Sequence, residues 1–223
     1  MMLAQEFPVP QHDTFYVYYF PGTPVALVFI GYLLGSIPFG YLIVKLSEGR
    51  DIRASGSGNI GAANVTRTAG KGAGVLTLLL DAAKGYVAVW LAARLTGENA
   101  AWMIAAGLAA IAGHFYPVWL KFKGGKGVAT GVGVFLPICW QAVAGAFVVW
   151  VLTVGVSRYV SLASMLATAS LPILMHFFYA PGYAPPLAVT GGATLAAVAI
   201  ILKHHENIRR LAAGQEPKFK FKR

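Results

Sequence analysis

Seven apolar runs constrain this chain more than any other feature of its sequence. They cover residues 24–46, 73–95, 101–120, 128–140, 142–156, 160–179 and 187–202. Most approach the roughly 20 residues that a helix needs to cross a bilayer. Charged residues make up only 12% of the 223 positions and hydrophobic ones 57%, whereas about a quarter of a soluble domain is charged. The expected architecture is therefore all-α: one polytopic membrane domain over residues 24–215. It is preceded by residues 1–23 and followed by a basic tail over 216–223.

The fourth run is short and carries Gly131, Gly133 and Pro137. If it spans there are seven crossings; if it is re-entrant there are six. Short loops rich in Lys and Arg stay in the cytoplasm. Residues 47–72 hold Arg50, Arg53, Arg67 and Lys71, and residues 121–127 hold Lys121, Lys123 and Lys126. Arg158 sits between the fifth and sixth runs, and the tail carries seven cations from Lys203 to Arg223. Seven crossings bring all four basic segments to one side, with Arg94 the exception on the other. The sequence thus predicts seven transmembrane helices with cytoplasmic catalytic loops, the N-terminus outside and the C-terminus inside. Residues 1–22 read as an extracytoplasmic arm or as a translation start set too far upstream. No cleavable signal peptide is evident, because no basic residue precedes the first run.

The formal net charge is +10. In a polytopic protein this suits anionic lipid or an anionic substrate, not nucleic acid. The sole cysteine, Cys139, cannot form an internal disulfide. The tail interleaves Phe219 and Phe221 with lysines, the pattern of a membrane-surface anchor.

Three polar segments fall on the inner face. The first runs from Ser55 to Arg67. Gly56 and Gly58 let backbone N–H groups turn toward an anion. Ser57, Asn59, Asn64 and Thr66 add neutral donors, and Arg67 can grip a phosphate with two parallel hydrogen bonds. A flexible polar loop would account for the glycines and serines alone. The second is Lys123 to Thr130, where Gly124, Gly125 and Gly127 precede a helix start. Free N–H groups and the positive end of a helix dipole meet there, and Lys126 adds a full charge. The segment lacks the spacing of a nucleotide P-loop, and a tight positive-inside turn is the plainer alternative. The third is His204 to Leu211. His204 and Asn207 are three apart and share a helix face, and an unperturbed histidine titrates near 6.5. A polar cap ending the last span is the other reading.

Asp81 and Lys84 lie inside the second run and can pair across one helical turn. His114 and His176 read as packing residues. No histidine is followed five residues later by aspartate, and neither G-x-S-x-G nor H-E-x-x-H occurs. With eight acids in all, no metal site is expected.

Together these segments resemble the bacterial acyl-phosphate:glycerol-3-phosphate acyltransferases, the PlsY family. The likeness lies in Gly56-Ser57-Gly58-Asn59 through Asn64 and Arg67, and in Leu80-Asp81 with Lys84-Gly85. It continues in Gly113-His114 with Pro117-Val118, in Phe122 through Thr130, and in Arg158-Tyr159-Val160-Ser161. It ends with His204, Asn207-Ile208 and Arg210-Leu211. Ala63 stands where the family often has threonine. The resemblance implies a seven-helix enzyme of the bacterial inner membrane. It would move an acyl group from acyl phosphate to the 1-hydroxyl of glycerol 3-phosphate, releasing lysophosphatidate and phosphate. No cofactor, metal, CoA or acyl carrier protein would be required, and the partners would be the two substrates and membrane lipid.

In that reading Ser57, Arg67, Lys126, His204 and Asn207 are the catalytic set. Gly56, Gly58, Asn59, Asn64, Thr66, Gly124, Gly125, Gly127 and Thr130 line the substrate phosphates. His204 either takes the hydroxyl proton or binds the second phosphate. A transporter for phosphate or a phosphorylated solute is the competing expectation, but its site would lie near midplane.

Overall fold

The computed structural model describes residues 22–179 and 186–219; residues 1–21 of the proposed N-terminal arm and the last four residues of the tail lie outside the described residues. All regular structure among them is helical. The first apolar run is divided in two, α1 (Thr23–Ser36) and α2 (Phe39–Glu48). The break falls at Ile37-Pro38, where proline has no N–H to continue the ladder. After a loop come the short α3 (Ala62–Ala69) and the long α4 (Lys71–Thr96). Gly97, at φ 59°, ends α4 in the left-handed region. The side chain of Asn99 then caps α5 (Ala100–Phe115), accepting from the N–H groups of Ala101 and Trp102.

The fourth run yields only α6 (Val128–Phe135), eight residues long and about 12 Å from end to end. It is followed by α7 (Trp140–Ser157), α8 (Val160–Phe178) and α9 (Leu187–Leu202). A bend of 56° then leads into α10 (His205–Ala212). Among the described residues, five helical stretches are long and apolar enough to cross a membrane. They become six when α9 and α10 are taken together. The protein is thus an all-helical, multi-pass membrane protein.

Residues exposed on the long helices are apolar, as a lipid-facing surface requires: Leu79, Trp90, Phe147, Leu152, Ile173 and Leu195 among them. The interior is dominated by small residues instead. α1 lies against α5 so closely that a Cβ added to Gly35 would strike the Ala110 carbonyl, and one on Gly113 would strike Tyr32. α6 meets α4 the same way, through Gly133 on Ala82 and Gly85 on Thr130. Lipid tails are as apolar as leucine, so helices in a bilayer gain cohesion from such close contact rather than from expelling water.

This packing makes a definite forecast. Gly35→Ala and Gly113→Ala should each destabilise the detergent-solubilised protein by about 1–3 kcal/mol. Gly155→Ala, where nothing lies within 4 Å, should leave the unfolding temperature unchanged. Equal thermal unfolding of all three variants would contradict the packing account.

Candidate functional site

The site is built where three segments meet. The loop after α2 is stitched by its own side chains. Asn64, buried on α3, accepts from the Ser57 N–H at 2.9 Å and donates to the carbonyls of Ser55 and Asn59. Asn59 in turn accepts from the Gly61 N–H at 2.8 Å. Arg50 ties the loop to α3 by donating to Ser55 Oγ and to the Thr68 carbonyl. Gly56 and Gly58 adopt φ of 60° and 70°, which a Cβ would strain. The two asparagines thus form the scaffold of the loop, while Ser57 and Arg67 stand exposed on it. Thr66 packs against Gly74 at the start of α4. Arg67 makes no hydrogen bond or ion pair among the described residues, so its guanidinium is available to an anion.

The glycine-lysine loop is held against the end of α5. Gly124 donates to the Phe115 carbonyl at 3.2 Å and Gly125 to the His114 carbonyl at 3.0 Å. A side chain on either would collide with His114. These two N–H groups are committed to docking the loop. Gly127, at φ 79°, then turns the chain into α6, whose first N–H groups lack partners within the helix. The Thr130 hydroxyl, fully buried one turn along, finds no partner among the described residues.

Behind this loop lies a buried ionic cluster. Lys84 on α4 sits 2.8 Å from the Asp81 carboxylate, donates to the Ile37 carbonyl at 2.9 Å, and lies 3.0 Å from His114 Nδ1. The expected Asp81–Lys84 pair is present. His114, expected to be a packing residue, also joins this pair to the loop.

The third segment supplies the rest. Just past the end of α9, the buried His204 donates from Nδ1 to the Ile200 carbonyl at 2.8 Å. That bond assigns the proton of the neutral ring to Nδ1 and leaves Nε2 with a lone pair. Burial pushes the imidazole down to about 4, helped by the charge of Lys126 and opposed by the Ile200 bond. Lys126 reaches across to donate to Asn207 Oδ1. Burial also holds the Lys126 ammonium below its ordinary value; Arg210 and Arg67 add to the effect, while Glu216 and Glu206 oppose it. The structure therefore brings Lys126, His204 and Asn207 together, with Arg67 close enough to be felt.

Sequence reasoning missed Glu216. Assigned to a membrane-anchoring tail, its carboxylate instead accepts from Asn207 Nδ2 at 2.7 Å and Arg210 Nε at 2.7 Å. Burial alone would raise this carboxyl. The facing Ser161 hydroxyl and the bonds from Asn207 and Arg210 outweigh it and hold the group below the usual range. A lone acid in a basic tail, in a chain with so few acids, was the available signal.

The chain matches the family model for glycerol-3-phosphate acyltransferase over residues 25–214. It is 49% identical over 194 residues to the glycerol-3-phosphate acyltransferase of Syntrophotalea carbinolica, covering 87% of this chain and 96% of that one. The enzyme of the same name from Trichlorobacter lovleyi is 50% identical over 191 residues, 85% and 94% of the two chains. Among solved structures, PlsY, an integral membrane glycerol 3-phosphate acyltransferase, superimposes in its glycerol 3-phosphate form with a TM-score of 0.83 at 43% identity. That match covers 89% of this chain and 96% of the other. Its lysophosphatidic acid form gives 0.80 at 41% identity over the same shares.

The environment of His204 has a measurable consequence. A folded value near 4 against about 6.5 unfolded means that the folded protein keeps the ring neutral where the unfolded chain would protonate it. Stability linked to this group is present above pH 6.5 and is lost as pH falls toward 4. Ring NMR of selectively labelled His204 should show no titration between pH 5.5 and 8. A midpoint near 6.5 would contradict its burial.

Proposed function

The chain belongs to the glycerol-3-phosphate acyltransferase family, and we propose that it transfers an acyl group from acyl phosphate to the 1-hydroxyl of glycerol 3-phosphate. The products are lysophosphatidate and phosphate, at the entry to phospholipid synthesis. The observation that carries this reading is the junction of Lys126 with Asn207 beside His204. It unites two segments distant in sequence into one cationic site within a chain that matches the family throughout.

Both substrates carry phosphate, so the site needs two anion-binding elements. Lys126 and the N–H groups opening α6 hold the acyl-phosphate phosphoryl group and stabilise charge as it leaves. Arg67, Ser57 and Asn207 orient glycerol 3-phosphate. The neutral His204 has an acceptor at Nε2 and no donor there, which favours holding the attacking hydroxyl over gripping a phosphate. The hydroxyl oxygen attacks the acyl carbon and the bond from that carbon to the phosphate oxygen breaks. A ring titrating near 4 gives up a proton readily, so the proton passes on to the phosphate oxygen freed when the acyl bond breaks, which is far more basic than the ring. Acyl phosphate is already activated, so neither CoA nor acyl carrier protein takes part, and positioning supplies most of the catalysis.

Seven crossings of the inner membrane, with the N-terminus outside and the C-terminus inside, fit the same contacts. Lys126 meets α10, and the Phe219 N–H donates to the Arg158 carbonyl at 2.7 Å. The 121–127 loop, the turn after α7 and the tail then share one end. Because α7 is long enough to cross, α6 and the four residues after it must carry the chain to the far side. They can do so while short because Val134 and Phe135 are fully buried in protein rather than lipid.

Lys126→Ala and Arg67→Ala should each lower transfer by roughly a hundredfold or more while the protein still folds in membranes. The measurement is lysophosphatidate formed by purified protein from acyl phosphate. Near wild-type turnover would remove these roles. Solute flux into liposomes without product would favour a transporter.

A further inference from the structure

We propose that Glu216 is a positioning residue for this acyl transfer: by accepting the Asn207 amide hydrogen it fixes the Asn207 carbonyl oxygen on Lys126. The proposal rests on the reading above, in which Lys126 and Asn207 meet the substrates.

A carboxamide has two chemically opposite ends of nearly equal shape, and it can turn by 180° to exchange them. Asn207 is held between two groups that cannot exchange roles. The Lys126 ammonium only donates, and an ionised carboxylate only accepts. With Asn207 Nδ2 donating to Glu216 Oε1 at 2.7 Å, Oδ1 must face Lys126, and it accepts there. Were the amide to turn, an NH2 group would confront the ammonium. Glu216 thus decides what Asn207 offers to the reaction centre: an acceptor, suited to an ammonium or a hydroxyl, and no donor to phosphate.

Glu216 is itself held in place, with its side chain only 7% exposed. Its second oxygen accepts from Arg210 Nε, one turn after Asn207 on α10. Gly214, at φ 68°, reverses the chain after α10, and the Gln215 N–H closes the turn on the Arg210 carbonyl at 2.8 Å. Beyond Glu216, Lys218 lies over the Tyr159 ring and Phe219 donates to the Arg158 carbonyl. The strap therefore delivers a carboxylate to the back of Asn207 from outside the helix that carries it. The arrangement also matches charge, since this acid lies behind a site that, on the proposed function, binds two anions at its front.

The experiment is a double-mutant cycle on the full-length protein in lipid or detergent, with thermal unfolding as the control for folding. Glu216→Gln presents an amide that can satisfy Arg210 only by turning its own NH2 toward Asn207, which undoes the selection. Its kcat/KM for glycerol 3-phosphate should fall about tenfold in protein that thermal unfolding shows to be folded at the assay temperature, although loss of the Arg210 ion pair lowers the unfolding temperature itself. Glu216→Asp, which keeps the charge, should recover part of the loss. In an Asn207→Ala background, Glu216→Gln should cause no further loss. Where that background turns over too slowly to measure, calorimetric binding of glycerol 3-phosphate runs the same cycle. Wild-type kcat/KM in Glu216→Gln, or an equal further loss in the Asn207→Ala background, overturns the proposal. Failure of the wild-type protein to form lysophosphatidate would overturn the acyltransferase reading and this inference with it. That result is distinguishable because it appears without any substitution.

Discussion

A buried ammonium governs the layout of this protein. Lys84 lies almost wholly out of solvent on α4, in a membrane where an unpaired charge costs several kcal/mol. It is tolerated because three elements converge on it. Asp81 comes from its own helix, the Ile37 carbonyl from the break between α1 and α2, and His114 from the end of α5. The Ile37 carbonyl lies in the break that Pro38 makes between α1 and α2, where it also accepts the Phe39 N–H at 3.1 Å. The kink in the first span and the cation in the second are thus one feature. Removing either partner would leave the other uncompensated.

That cluster in turn sets the position of the site. His114 holds Lys84 with one face and abuts Gly125 with the other, while its carbonyl accepts the Gly125 N–H. The glycine-lysine loop is therefore seated against the ionic cluster, and Lys126 projects from a fixed base toward α10. The Lys126 side chain donates to Asn207 Oδ1 from a loop fastened at Gly124 and Gly125. The glycines do here what a phosphate cradle does not require of them. They let a loop lie flush on a helix end, so that on the proposed function Lys126 and the first turn of α6 are the groups left to meet an anion.

The sequence reported the membrane elements well because hydropathy is local: the limits of α8 and α9 lie within a residue of the apolar runs. It reported the chemistry of single residues less evenly. Pairing of Asp81 with Lys84 followed from helical spacing, and the site did bring Lys126, His204 and Asn207 together. Division of the first run at Pro38 was hidden, because the two halves read as one continuous apolar stretch. Asn59 and Asn64 read as ligand contacts, and the bonds their side chains make within their own loop could not be read from composition. Glu216 was invisible for a related reason. Its meaning depends on a chain reversal after α10 that returns the tail to the α7–α8 turn, and no periodicity encodes such a return.

The distribution of acids makes physical sense of the whole. With a formal net charge of +10, the chain has an excess of cations over partners, and the carboxylates it does have are not scattered at random over the site. Asp81 neutralises the cluster beneath the loop, and Glu216 orders the amide behind Lys126. Arg67 and Lys126 keep no carboxylate of their own among the described residues. On the proposed reaction a site for two phosphates needs this asymmetry, because an acid at the front would compete with both substrates. An acid one residue behind, reached only through an amide, can fix geometry while leaving the forward-facing charge to the ligand.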